Sequence, residues 1–174
     1  HQENFASAEE KCREKLVLFN EAQAFIYHAD DGLVSREIEA MKFRGEQLAW
    51  SRKRKDVAMF VHSVEKQDVQ TTVTYSYKGS DLHSFMIPFV DDASIANAVI
   101  CATVALHLGL SSQQLGERMC QLEPVAMRLE VKEGRNGCVL INDSYNSDFN
   151  SLDIALDFMQ RRQSKERGLN RLST

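Results

Sequence analysis

The chain reads as an α/β protein in which helical patterns and β-rich runs interleave along 174 residues. Three observations carry this. Apolar residues recur at helical spacing in several segments, and short β-branched and aromatic runs lie between them. The pattern breaks at Glu123-Pro124, which divides the chain into residues 1–122 and 123–174. Beyond the break, Val139-Leu140-Ile141 runs into a polar knot, Asn142-Asp143-Ser144-Tyr145-Asn146. A buried strand that delivers an acid, a hydroxyl, a phenol and an amide at its C-terminal end is how open α/β sheets present ligand-binding groups.

In chain order, residues Ala8 to Asn20 predict a helix with Cys12, Leu16 and Phe19 on one face. Ala24–Tyr27 is a short strand ending in Asp30-Asp31-Gly32, and Leu33 to Phe43 a second helical pattern. Three β-runs follow, Val57–Val64, Val69–Tyr77 and Leu82–Phe89, the last two separated by the turn signal Lys78-Gly79-Ser80-Asp81. Ile95, Ala98, Val99, Ala102, Ala105 and Leu106 mark a strongly apolar helix that Gly109 ends. Ser111 and Gln114 form a capping box opening the next helix. After the break come strand Leu129–Lys132, a turn at Gly134–Gly137, strand Cys138–Ile141 and a helix from about Ser151 to Arg162.

Composition narrows the classes of function. The chain is 43% hydrophobic and 26% charged, a soluble globular balance, and its net charge of −4 is too mild to argue for nucleic acid. Two basic clusters, Arg52-Lys53-Arg54-Lys55 and the tail Arg161, Arg162, Lys165, Arg167 and Arg171, read as a solvated loop and a helix end. Cys12, Cys101, Cys120 and Cys138 are widely spaced, which suggests reduced thiols in a cytoplasmic protein. No apolar run approaches the roughly 18 residues of a membrane span, and no signal peptide is visible. The chain opens at His1 without a methionine, so a piece of a longer protein is expected.

Lys15 lies just ahead of the apolar turn Leu16-Val17-Leu18-Phe19. A head drawn into a semi-buried pocket would have a lowered pKa and supply the neutral amine that carbon dioxide can attack. The resulting carbamate is a two-oxygen anion suited to magnesium. The plain alternative is a surface lysine. Asn97, on the apolar helix, is by itself a polar residue on a helix edge, and Arg128 with Asp143 could be an interstrand ion pair.

These segments together resemble the Mur ligase family, and the wording around Tyr145 and Asn146 looks most like its D-alanyl-D-alanine-adding branch. The resemblance covers essentially the whole chain. It implies that residues 1–122 are the latter part of a central ATP-binding domain and that 123–174 open a Rossmann-like C-terminal domain. It also implies site roles. His1 and Lys15, fourteen positions apart, match a histidine and a carbamylated lysine that organise magnesium, and the intervening Phe5 and Ser7 fit the same pattern. Asn97 matches an asparagine whose amide reads the adenine of ATP, by donating and accepting as adenine does. The chain departs from the family at Ala93-Ser94, where His-Asn is commoner, and Asp91-Asp92 would replace that contact or cap the helix. Arg128 matches a linker arginine that reaches the nucleotide, Asp143 an aspartate on the ribose, and Tyr145 and Asn146 nucleotide- or substrate-side groups.

What the resemblance implies for the full enzyme is ATP-dependent joining of D-alanyl-D-alanine to UDP-N-acetylmuramoyl-tripeptide, through phosphorylation of a carboxylate and attack by the dipeptide amine. No Gly-x-Gly-Lys-Ser/Thr phosphate loop occurs in the 174 residues, so the chain alone is expected to be inactive. The wording Glu14–Phe19, Asp91–Ser94 and Ser147-Asp148 looks like the variant fused to an alanine racemase, whose pyridoxal phosphate would lie outside this chain. Unfinished sheets would invite self-association. Two alternatives stand beside this reading: a related Mur or folylpolyglutamate-type ligase, and a non-catalytic α/β binding module.

Overall fold

The computed structural model describes residues 5–123, 130–142 and 152–160, the last without 154 and 157. Two compact units divide the chain, residues 1–122 and 123–174.

In the first unit, α1 (Ala8–Leu16) starts at Ser7, whose hydroxyl accepts the Glu10 N–H at 3.1 Å. The predicted continuation to Asn20 tightens into a 3₁₀ turn at Val17–Phe19. Strand β1 (Ala24–His28) leads to α2 (Gly32–Met41), which Lys42 ends in the left-handed conformation. Strand β2 (Glu46–Ser51) comes next, in a stretch for which no strand is predicted. Strands β3 (Met59–Lys66), β4 (Thr71–Tyr77) and β5 (His83–Ile87) fall within a few residues of the predicted runs. Lys78 and Gly79 both have positive φ, which lets the chain reverse between β4 and β5. Helices α3 (Asp92–His107) and α4 (Ser112–Met119) complete the unit, α4 opening with the predicted capping box.

The five strands lie in the order β1-β2-β3-β4-β5. The first three are parallel, and β3, β4 and β5 form an antiparallel meander. Helices cover both faces. On one, Leu16 of α1 and Ile38 of α2 close over Phe25 of β1, with Cys12 and Phe19 packed around them as the helical face predicts. On the other, Ile95, Ala98, Val99 and Ala102 of α3 and Leu115 and Met119 of α4 pack on Trp50, Met59, Val61, Val73, Tyr75, Phe85 and Ile87. This second core is the larger, and it fixes the sheet against α3.

In the second unit, β6 (Glu130–Glu133) and β7 (Val139–Asn142) pair antiparallel through a 3₁₀ turn at Arg135–Gly137. Strand β7 is not the buried strand expected. Val139 and Leu140 are exposed and Ile141 is half-buried. Asn142 ends β7, its amide donating to Glu130 Oε2 at 3.2 Å. Residues 152–160 carry helical backbone wherever they are described. Among the described residues no helix is long and apolar enough to cross a membrane.

Candidate functional site

Strands β1 and β2 run side by side and finish together, with His28 opposite Trp50 and Ala29 N–H donating to Trp50 O at 2.9 Å. Groups at the carboxyl ends of parallel strands are the ones an α/β sheet offers to ligands. Here the two aspartates after β1 divide the work. Asp31 caps α2, its Oδ1 accepting the Leu33 and Val34 N–H groups at 3.0 and 3.1 Å. Asp30 turns across to β2, where Oδ1 accepts the Ser51 hydroxyl at 2.5 Å and Oδ2 accepts the Arg52 N–H at 2.9 Å. The Ser51 hydroxyl, fully buried, in turn accepts the Lys53 and Arg54 N–H groups at 2.9 and 2.7 Å. One donated and two accepted bonds use the whole capacity of that oxygen.

His28 closes the near side. Its ring stacks on Trp50 at 3.8 Å and 4°, and its Nε2 lies 3.3 Å from Asp30 Oδ2. Burial pushes the Asp30 carboxyl up, but the bonds from Ser51, Arg52 and His28 together outweigh it and hold the group below the usual carboxylate range. It is therefore an anion with its lone pairs committed to the loop beside it.

That loop, Arg52–Ala58, connects two parallel neighbours in only seven residues. This is possible because β3 starts where β2 stops, and only Trp50–Met59 and Ser51–Phe60 pair. The chain therefore need not return along the sheet. Arg52 through Asp56 are exposed, as the predicted solvated loop requires. Arg54 forms a two-pronged ion pair with Asp56.

Lys15 is in the last turn of α1 and exposed, where a cation suits the helix dipole. The semi-buried pocket expected for its head is not there, because Leu16 takes the buried position of that turn. Asn97 is on α3, exposed, and shares one face with Ala93 and Cys101 at four-residue spacing. Lys15 and Asn97 ride on helices packed against opposite faces of the sheet, and no described hydrogen bond or ion pair joins them. Asp91 is the cap of α3, accepting the Ser94 N–H at 2.8 Å, and Asp92 pairs with Lys66 at 2.8 Å. His1, Arg128, Asp143, Tyr145 and Asn146 lie outside the described residues. Among the described residues no group of three His, Cys, Asp or Glu side chains could hold a metal ion.

Sequence reasoning passed over Asp30 and Ser51. The Asp-Asp pair at the end of β1 was the available signal. The serine had none, since the strand it ends was itself unread.

No family model matches the chain. It is 24% identical over 167 residues to a UDP-N-acetylmuramoyl-tripeptide–D-alanyl-D-alanine ligase of Bacillus subtilis, which covers 92% of this chain and 34% of the relative. Among solved structures, a MurF from Acinetobacter baumannii superposes with a TM-score of 0.71 at 19% identity, over 88% of this chain and 33% of that one. A MurF ligase from Thermotoga maritima in complex with ADP gives 0.61 at 15% identity, over 87% and 34%. A folylpolyglutamate synthetase from Lactobacillus casei gives 0.56 at 17%, over 86% and 38%. The chain thus spans about a third of the length of the relatives it matches. It is similar in sequence to a tripeptide–D-alanyl-D-alanine ligase, and it shares its fold with Mur ligases and with a folylpolyglutamate synthetase.

Proposed function

We propose that this chain is part of an ATP-dependent carboxylate–amine ligase of peptidoglycan synthesis, one that adds D-alanyl-D-alanine to UDP-N-acetylmuramoyl-tripeptide in the cytoplasm. The observation that supports it best is agreement between two independent comparisons. A tripeptide–D-alanyl-D-alanine ligase matches along 92% of the sequence, and a MurF matches the fold with a TM-score of 0.71. In this reading residues 1–122 are the latter part of the central ATP-binding domain and 123–174 the opening of the C-terminal domain.

The described residues fit a nucleotide better than a metal. Asn97 presents an exposed side-chain amide, which can donate to and accept from an adenine edge at once. Arg128, Asp143, Tyr145 and Asn146 are proposed for the phosphate, ribose and substrate side. For magnesium, Lys15 is the one proposed donor among the described residues, with His1 as its partner in the proposal. One exposed amine makes no metal site by itself. ATP, when bound, supplies the phosphoryl group that activates a carboxylate, and this chain's part is to hold the base and the sugar.

The test is phosphate release by the full-length parent. It should require ATP, UDP-N-acetylmuramoyl-tripeptide and D-alanyl-D-alanine together. Release driven instead by a folate and glutamate would favour the second reading, to which the 0.56 superposition on a folylpolyglutamate synthetase lends weaker support. No turnover with either set would leave a non-catalytic module. A racemase partner domain, with its pyridoxal phosphate, is tested by the parent's alanine racemisation.

A further inference from the structure

The basic loop between β2 and β3 is built more firmly than a solvated connector needs to be. Its base is closed by the Trp50–Met59 and Ser51–Phe60 pairs, and its far end is held where Lys78 N–H donates to Ala58 O at 2.7 Å. Inside it, Asp30 and Ser51 fix three consecutive main-chain N–H groups, those of Arg52, Lys53 and Arg54. The Asp30 side chain is 8% exposed and that of Ser51 fully buried. The loop therefore spends its buried acid and hydroxyl on its own shape.

Its cations are left outside. Asp56 neutralises Arg54. Among the described residues no carboxylate pairs with Arg52, Lys53 or Lys55, and all three are exposed. Three charges within four residues, on a backbone held from beneath, stand at the carboxyl end of β2, beside that of β1.

We infer that Arg52, Lys53 and Lys55 form a binding site for a small diphosphate-bearing anion. Because the main-chain N–H groups are already used, recognition rests on side-chain charge, with Arg52 able to grip two oxygens in a fork and the lysines acting as point charges. A small anion suits the site better than an extended one. The loop is seven residues long, and the chain as a whole carries −4, which would repel a long polyanion. The inference uses the first unit alone and does not depend on the ligase reading.

The probe is inorganic pyrophosphate, titrated calorimetrically into the 174-residue chain at low ionic strength, with UDP and ADP as parallel arms. Pyrophosphate should bind, and the triple variant Arg52→Gln, Lys53→Gln, Lys55→Gln should bind at least tenfold more weakly while keeping its melting temperature, since all three side chains are in water. Tighter binding of UDP than ADP would assign the diphosphate to a sugar nucleotide, and the reverse to an adenine nucleotide. Asp30→Asn should also weaken pyrophosphate severalfold with every cation retained. Circular dichroism checks that this buried variant folds, and Ser51→Ala serves in its place if it does not. Binding that is absent, equal in the triple variant, or displaced more readily by a short single-stranded oligonucleotide than by pyrophosphate overturns the site. A folded scaffold variant that binds as the wild type does overturns the claim that the loop is pre-shaped.

Discussion

Asp30 concentrates more of the local structure than any other single residue at the strand ends. It accepts from a hydroxyl and a main-chain N–H and lies beside a histidine, all while nearly buried. Its folded pKa is held below the ordinary carboxylate value by those partners, against the upward push of burial. The sign follows. A group depressed on folding adds stability that is complete above the unfolded value of about 3.9 and is lost as pH falls through the lower folded value. Asp30→Asn should therefore lower stability at neutral pH by about 1–3 kcal/mol, because the amide cannot offer acceptors to both donors. The variant should also lose part of the acid limb, so that wild-type and variant melting temperatures draw together as pH falls through the lowered folded value. Thermal melts from pH 2 to 7 check this, and parallel curves would sink it. At Asn97 the expectation concerns the parent enzyme. Asn97→Ala should raise KM for ATP about tenfold, the loss of one or two net hydrogen bonds, with kcat changed much less. Steady-state kinetics with ATP varied decides it, and an unchanged KM would remove Asn97 from the adenine site.

Among the elements, β2 shows both what the sequence makes readable and what it hides. The helices were legible because one face of each is apolar, as with Cys12, Leu16 and Phe19 or Ile95, Ala98, Val99 and Ala102. The meander was legible because β4 alternates buried and half-buried residues. Strand β2 lies between β1 and β3 with α3 against it, and Leu48, Ala49, Trp50 and Ser51 are all buried, so the alternation vanishes. Three apolar residues and a serine between Glu46-Gln47 and a run of cations make too short a run for periodicity to separate a strand from a helical turn. With β2 unread, its partner at the site, Ser51, could not be found either. The residue that sets β2 in place is Gly45. A Cβ there would lie 2.6 Å from Gln23 O and 2.7 Å from Ala22 O, both main-chain atoms, as well as 2.5 Å from the Phe43 ring. The ring can swing away, but the carbonyls cannot move without shifting the start of β1, to which Glu46 N–H donates through Gln23 O at 2.8 Å. Gly45→Ala should cost roughly 1–3 kcal/mol, as overpacking against fixed atoms does. Urea unfolding would show a lower midpoint at unchanged slope. A midpoint equal to wild type would mean that the two carbonyls yield to a methyl group at no cost.

For the whole molecule, the sharpest expectation concerns what the 174 residues can do alone. Phosphoryl transfer is mainly positioning and charge compensation around the phosphates, and in nucleotide enzymes of this general kind a glycine-rich loop with a lysine provides much of both. No Gly-x-Gly-Lys-Ser/Thr segment occurs anywhere in the sequence. The described residues carry an exposed amide at Asn97, proposed for the base, and an exposed cationic loop at Arg52–Lys55, proposed for a diphosphate, and neither is a glycine-rich phosphate cradle. They belong to a chain that spans about a third of its ligase relatives. Some nucleotide affinity without turnover is thus the expected state of the isolated chain. A purified sample given magnesium and ATP should release no phosphate above a boiled control over several hours. The same sample should still show the pyrophosphate-dependent heat that the triple variant loses. Steady ATP hydrolysis would mean that a catalytic phosphate cradle exists which the glycine-rich motif does not mark, and the placement of residues 1–122 within a larger ATP-binding domain would have to be given up.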